Sequence, residues 1–346
     1  MKMNKGFIWL AVALISMLTA CIKNNEIDHP DFEYQTVYFG TQFPIRTIEL
    51  GEDLFIDNTL DNQRKVLLNA TTGGVRENKR EILIGISVDT SLSSRLFFSS
   101  DKGGNKMLPL PSNYYQLASK QIIISKGSFL GGVEVQLTDA FFQDPLSLAN
   151  NYVLPVVLAD TKGADSILRG KPSVANPNRS IDAHWIIKPH DFVLYTLKYV
   201  NTWHGNYLRR GTDVITGSVN QTLSRHKQFV EGDEVNKLST VSLSKLNFPV
   251  VFKNATGTNI NCTLQLTFDA SDKCTITSIT SGVTASGTGK FVKKGEINSW
   301  GNKDRDALYL DYSVNITAQN MLVATKDTLV MRDRAISLET FTPVYK

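Results

Sequence analysis

The sequence predicts an all-β protein of two domains, on three observations. Short runs of Val, Ile, Leu, Tyr, Phe and Thr alternate with polar residues along most of the chain, which is the period of a half-buried strand. Gly, Ser, Asn and Asp interrupt these runs at short intervals, as turns between strands require. The length of 346 residues is enough for two cores. Residues 161–178, rich in Lys, Gly, Pro, Ser and Asn, read as a linker or long exposed loop.

Residues 34–39 and 45–50 are the first two expected strands, the second closed by Gly51. Residues 64–70 and 82–88 follow as β-branched and leucine-rich runs, with Thr71, Thr72, Gly73 and Gly74 between them. Residues 91–98 are irregular, with room for one helical turn. Pro109 and Pro111 keep 108–115 out of any central strand, because proline lacks the ladder donor. Strands at 121–125, 133–138 and 152–159 bring the set to about seven, the spacing of an immunoglobulin-like β-sandwich. The Cys–Trp–Cys signature of that fold is absent, so spacing alone supports the expectation. The sandwich is placed at 34–187.

Beyond it, 185–187 and 192–200 are strongly β-prone. Further strands are expected near 237–243, 249–252, 261–268, 274–279, 285–292, 307–316 and 321–332. Short turns join nearly all of them, the pattern of an up-and-down antiparallel barrel. This second domain, 188–346, resembles a calycin-like β-barrel. No repeat with a period of 20 to 50 residues is visible.

The first twenty residues have a separate logic. Lys2 and Lys5 precede an apolar run of eleven residues from Phe7 to Met17, then small residues lead to Cys21. Charged, apolar, then small is the layout of a secretory signal, and the run is shorter than the roughly 20 residues of a membrane-spanning helix. Leu18, Thr19, Ala20 and Cys21 resemble the lipobox of bacterial lipoproteins. That resemblance implies cleavage before Cys21, lipidation of its thiol, and a tether over 21–33. Two or three acyl chains hold a protein stably to a membrane where one does so only marginally. Outer-membrane attachment through lipid is therefore expected, with the cell surface favoured over the periplasmic face.

Loss of the signal segment removes Lys2, Lys5 and no acids, so a net charge of +4 becomes +2. No Lys/Arg run stands out, which argues against a nucleic-acid partner. Cys262 and Cys274 then remain. If the turn 269–273 closes a hairpin, Phe268 faces Cys274 and Cys262 faces about Thr280. The two cysteines are then roughly 20 Å apart at 3.3 to 3.4 Å per residue, too far for a disulfide. Two buried free thiols are expected.

Phe192 to Gly211, Gly289 to Glu296, Ser299 to Asp306 and Asp327 to Arg334 resemble a two-domain family of Bacteroidota surface lipoproteins. The N-terminal part of that family is a domain of unknown function. The resemblance implies an accessory like SusE and SusF beside a SusC/SusD-type glycan importer, with glycan as ligand. In that setting Glu26 and Asp28 are a weak form of surface-export signal.

A sugar site needs an aromatic face for the C–H side of the ring, with amides and carboxylates for the hydroxyls. Asn298, Trp300, Asn302, Asp304 and Arg305 supply these types on one expected loop, and loops often carry function. The bland alternative is a turn in which Trp300 caps the barrel end beside a solvated charge cluster. Trp203 and Tyr207, with His204, Arg209 and Arg210, are a second candidate. Their alternative is a plug in the barrel base. Tyr114 and Tyr115 are a third aromatic platform.

Other chemistries find little support. The five histidines are scattered and no metal-ligand spacing appears. No Gly-x-Ser-x-Gly elbow is present, and Asp304 and Asp306 alone do not define a glycosidase pair. Gly287 to Lys290 lacks the first glycine and the Ser/Thr of a phosphate loop. The expected function is non-enzymatic glycan binding without cofactor or metal. The alternatives are an adhesin-like protein that binds another protein, and a calycin-like carrier of a small apolar ligand. The carrier requires an open barrel interior.

Overall fold

The computed structural model describes residues 31–346, so the signal segment, Cys21 and most of the tether lie outside the described residues. The remainder is almost entirely β, with a two-sheet domain followed by a closed barrel.

The first domain stacks two sheets. One orders Ser166–Ile167, Thr36–Tyr38, Lys65–Gly73, Leu130–Leu137 and Tyr115–Leu117. The other orders Glu339–Thr340, Pro44–Glu49, Phe192–Val200, Tyr152–Lys162, Ile82–Val88 and Gln121–Ile124. Alternate residues of both sheets, among them Val66, Leu68, Val135, Ile84, Leu154 and Leu197, meet in one buried core. Between Tyr152 and Leu158 every residue is buried, because this sheet is covered on its second face as well. Phe98, Met107, Val153, Phe192 and Phe341 form that second core. A strand covered on both sides reads as a continuous apolar run.

Two sequence expectations change here. The division at 187/188 cuts the domain too early. Phe192–Val200 pairs with Tyr152–Lys162 on one side and runs parallel to Pro44–Glu49 on the other, so it belongs to the first sheet system. The chain also returns there at its end, where Glu339–Thr340 pairs with Pro44–Glu49 and Pro343–Tyr345 with Leu96–Phe98. Of the two readings of 161–178, the linker falls and the long exposed loop stands, since its residues are exposed or half-buried around two short strands. Ser166–Ile167 extends the first sheet and Lys171–Pro172 pairs with Trp185–Ile187, while Arg179 clamps Asp191 through two hydrogen bonds of 3.1 and 2.9 Å.

The barrel runs Gly205–Gly217, Glu234–Ser242, Lys245–Lys253, Asn259–Phe268, Lys273–Ser278, Val283–Glu296, Arg305–Ile316 and Met321–Asp333, with every neighbouring pair antiparallel. The last strand pairs with the first over twelve register positions from Asn206 to Gly217, which closes eight strands and leaves no open edge there. Gln221–Arg225 continues the Glu234–Ser242 side against the far half of the first strand. The hairpin register matches the sequence expectation. Phe268 faces Cys274, Leu264 faces Ser278, and both thiols are buried and free.

Inside the barrel, Leu238, Leu246, Phe248, Leu264, Leu266, Ile276, Leu308, Val323 and Leu329 pack into one core. At one end Trp203 stacks on Phe268, with centroids 3.9 Å apart and planes within 9°. Its indole N–H donates to Asp272 Oδ1 at 3.3 Å. The carrier alternative needs an open interior, and this one is filled with side chains.

The domains are joined by a short, well-bonded connection. Asn201 donates from Nδ2 to the carbonyls of Ser242 and Lys245. Arg334, at the end of the last barrel strand, donates to the carbonyls of Asn201, His204, Leu50 and Glu52 at 2.8 to 3.1 Å. Gly51 sits at φ +91 against Thr202, where a Cβ would lie 2.8 Å from the threonine methyl and 2.9 Å from its Cα. Only glycine permits that approach in that conformation.

Candidate functional site

The structure separates the three sequence candidates. Trp203 and Tyr207 are 8% and 0% exposed. Tyr207 donates its hydroxyl to the Trp203 carbonyl at 2.8 Å, and His204 Nδ1 accepts from the backbone N–H of Thr240. Burial drives the His204 imidazole down to about 3, with Arg334 acting in the same direction. These residues form the plug of the barrel base and offer no face to a ligand, so they drop out as binding residues. Arg209 turns inward and Arg210 pairs with Asp233. Tyr114 and Tyr115 pack on the first core, and Tyr114 donates to Asp144 at 3.0 Å. They form no free platform.

The 297–304 loop is different. Asn298, Gly301 and Asn302 all have positive φ, at 46, 68 and 55°. Asparagine and glycine tolerate that region at least cost, so their presence first answers a backbone demand. Asp304 Oδ1 closes the loop by accepting from the Asn298 backbone N–H at 2.9 Å. Arg305 is buried beneath it and donates Nε to the Trp300 carbonyl at 2.9 Å. Its guanidinium lies 4.4 Å from the Trp300 ring centroid, a favourable cation–π contact. Burial holds Arg305 below its ordinary pKa against the pull of Asp306. The side chains of Asn298, Asn302 and Asp304 remain exposed around this base.

Trp300 also meets a residue from the other domain. Phe55 stands edge-on to it, with centroids 6.4 Å apart and planes at 74°. The Arg305 guanidinium is 5.3 Å from the Phe55 centroid, so one cation sits under both rings. The Phe55 loop is preset, because Asp53 Oδ1 accepts from the backbone N–H of Phe55 at 2.6 Å and of Ile56 at 3.3 Å. Phe55 is nevertheless 61% exposed, with Leu54, Ile56 and Ile297 also exposed on the same two loops. Clustered exposed apolar groups rimmed by polar ones mark interaction sites. Phe55 escaped the sequence reading because it lies 245 positions from Trp300, in a stretch without strand or motif character.

A second group, also missed, lies inside the barrel. Arg209 donates Nε to Asp327 Oδ2 at 2.9 Å and Nη2 to the Tyr312 hydroxyl at 3.1 Å. Tyr312 in turn donates to Asp327 Oδ2 at 2.8 Å. Arg225 bridges Asp213 and Asp327, and Thr325 donates to Asp213. Each carboxylate is answered by a guanidinium, which reads as a structural ion network rather than a poised acid–base pair. Among the described residues no cluster of three His, Cys, Asp or Glu side chains is placed to hold a metal ion, and no helix is long and apolar enough to cross a membrane.

Comparison with known proteins follows the domain structure. A family model described as an N-terminal domain matches residues 32–165, and the Domain of unknown function (DUF5627) matches 202–335. No curated protein matches the chain. The crystal structure of a Bacteroides ovatus protein of unknown function is 48% identical. It covers 91% of this chain and 100% of its own, with a TM-score of 0.87. An auxiliary nutrient binding protein from Bacteroides thetaiotaomicron is 11% identical, covering 83% of this chain and 90% of its own at a TM-score of 0.37. A candidate carbohydrate binding protein from Bacteroides ovatus is 12% identical, covering 89% and 99% at 0.27. Superpositions that loose do not bear on this chain. This chain joins a two-sheet N-terminal domain to a DUF5627 barrel, and at 48% identity over the whole of the first Bacteroides ovatus protein it belongs to that protein's family.

Proposed function

We propose that this protein is a non-enzymatic, lipid-anchored glycan-binding accessory on the outer membrane, and that it captures glycan at the Phe55–Trp300 seam. The observation behind this reading is the ring pair itself. Two aromatic side chains from different domains share one buried cation, and Phe55 stays mostly exposed. Solvent exposure of an apolar ring is unfavourable unless something covers it, and the C–H face of a sugar ring is suited to that. Asn298, Asn302 and Asp304 are exposed beside it to meet hydroxyls. Arg305, fixed by its own hydrogen bond to Trp300, sets the pose of both rings.

The lipobox-like segment ending at Cys21 motivates the membrane anchor, and the resemblance to SusE/SusF-type lipoproteins motivates a SusC/SusD-type importer as partner. Capture rather than turnover follows from a sequence without a recognisable catalytic constellation. The test is a glycan-array screen and isothermal titration with residues 22–346, beside Trp300→Ala and Phe55→Ala. The expected result is a hit among neutral glycans that both substitutions abolish while the fold is kept. Silence from folded protein toward every neutral glycan of the panel would overturn glycan capture at this seam. A protein that co-purifies through the same loops would put a protein partner on this apolar seam instead. Release of reducing sugar from any bound glycan would overturn the non-enzymatic part.

A further inference from the structure

We propose that the outer wall of the barrel carries a separate binding site for an anionic polysaccharide, centred on Lys273 and Lys290. This site is built from other residues than the Phe55–Trp300 seam and stands whether or not that seam binds sugar.

The wall has a concavity of about 950 Å³ across the five strands from Asn259–Phe268 to Met321–Asp333. It dips where Val283–Glu296 carries small residues. Gly287 and Gly289 lie so close to the next strand that a Cβ would meet Tyr312 Cβ at 2.4 Å and Leu310 Cδ2 at 2.3 Å. Glycine in a strand marks such a close approach. Two rows of outward side chains cross the dip in register. One runs through Thr267, Thr275, Thr288, Asp311 and Lys326. The other runs Lys273, Lys290, Tyr309 and Thr328. Five strands at about 4.8 Å spacing make a shelf about 19 Å long, which suits a chain better than one small ion.

The charge pattern selects the ligand. Lys273 and Lys290 are direct cross-strand partners, a placement that is destabilising for like charges. Among the described residues neither makes an ion pair, whereas Lys326, one row away, reaches Asp311 at 3.6 Å. The nearby Asp269 carboxylate accepts from Ser271 N, Ser271 Oγ and Lys273 N through one oxygen. The Ser271 bonds, helped by the Lys273 charge, hold it below its ordinary pKa, yet Asp269 and Lys273 form no ion pair. An anionic group between the two ammonium ions would remove their repulsion and gain charge-assisted hydrogen bonds. Tyr309 is fixed beside Lys290 because its hydroxyl donates to Glu296 at 2.8 Å, leaving a ring for a sugar face. Thr275 and Thr288 are exposed alongside it. Anion, ring and hydroxyls in one trough describe a sugar chain bearing carboxylate or sulfate.

Native affinity electrophoresis of residues 22–346 through gels with polygalacturonate, dextran sulfate or neutral dextran tests this. The expected result is retardation by one or both acidic polymers and none by dextran, which identifies carboxylate or sulfate as the group read. Lys273→Gln/Lys290→Gln should weaken that retardation about tenfold, a loss of about 1.4 kcal/mol. Trp300→Ala should leave it unchanged, as should a control pair, Lys79→Gln/Lys120→Gln, on the first domain. No retardation by either acidic polymer with folded protein would overturn the site. So would an equal loss in the control pair, which would mean diffuse charge attraction. Both double variants change exposed side chains, and circular dichroism checks that they fold.

Discussion

Arg209 and Asp327 meet inside the closed barrel at 2.9 Å, both almost fully buried and both bonded to the Tyr312 hydroxyl. The contact joins the first barrel strand to the last, the pair whose alignment closes the cylinder. A buried ion pair contributes little net stability by itself, but removing one partner strands the other charge at a cost of about 3–5 kcal/mol. Asp327→Ala and Arg209→Ala are each expected to lose that much in urea unfolding. Tyr312→Phe should lose only about 1 kcal/mol. Equal, small losses for all three would show that the network does not govern closure.

Arg334 is the corresponding contact between the domains, with its guanidinium bonded to four backbone carbonyls. Arg334→Ala orphans those carbonyls and leaves Glu49 without its cation. The expected outcome in scanning calorimetry is a split of one cooperative transition into two, the barrel and the two-sheet domain melting apart. A single transition merely shifted downward would show that the remaining contacts couple the domains.

Glu49 makes this junction sensitive to pH. Burial pushes its carboxyl up to about 7 against the pull of Arg334, with Asp53 and Asp61 pushing it further up. Both carboxylate oxygens are buried without a hydrogen-bond partner. A carboxyl with a raised folded pKa binds its proton more tightly in the native state, so its contribution is present below about pH 4.5 and is lost as pH rises through about 7. His204 acts oppositely, since its depressed pKa costs stability as pH falls below 6.5 toward 3. The difference in Tm between Glu49→Gln and the parent isolates the carboxyl and should grow in favour of the variant from pH 5 to pH 8. A constant difference would mean that Glu49 does not titrate in that range.

Gly289 faces the barrel core, where a Cβ would fall 2.3 Å from Leu310 Cδ2 and 3.0 Å from Cys274 Sγ. Gly289→Ala is expected to cost about 1–3 kcal/mol by overpacking, read from the urea midpoint. A neutral result would show that Leu310 can change rotamer freely there.

The thiols supply a redox check. Burial pushes Cys274 up to about 12 and raises Cys262 as well. In residues 22–346 neither thiol should react with Ellman's reagent at pH 8 until denaturant is added, when both should. Reducing agent should leave Tm unchanged. A reductant-sensitive Tm would mean a disulfide that this register does not allow.

Alternation and turn composition determined the all-β class, nearly every barrel strand and the Phe268–Cys274 register, because a period of two and a five-residue turn are local properties. The sequence also placed Trp300, Asn298, Asn302 and Asp304 on one loop, whereas Arg305, expected there too, begins the next strand and is buried. It did not reveal Gly205–Gly217, whose Arg209, Arg210, Gly211 and Asp213 look like a polar loop. Those charges are tolerable in a strand only because partners arrive from afar, Asp327 from 118 residues away. The domain division failed for the same reason. Phe192–Val200 and Glu339–Thr340 are assigned by which strands they pair with, and pairing is not written in either segment. Phe55 became a candidate only when the fold set it against Trp300 over a shared cation. Local periodicity decided what the strands are, and long-range burial of charge and apolar surface decided which of them meet.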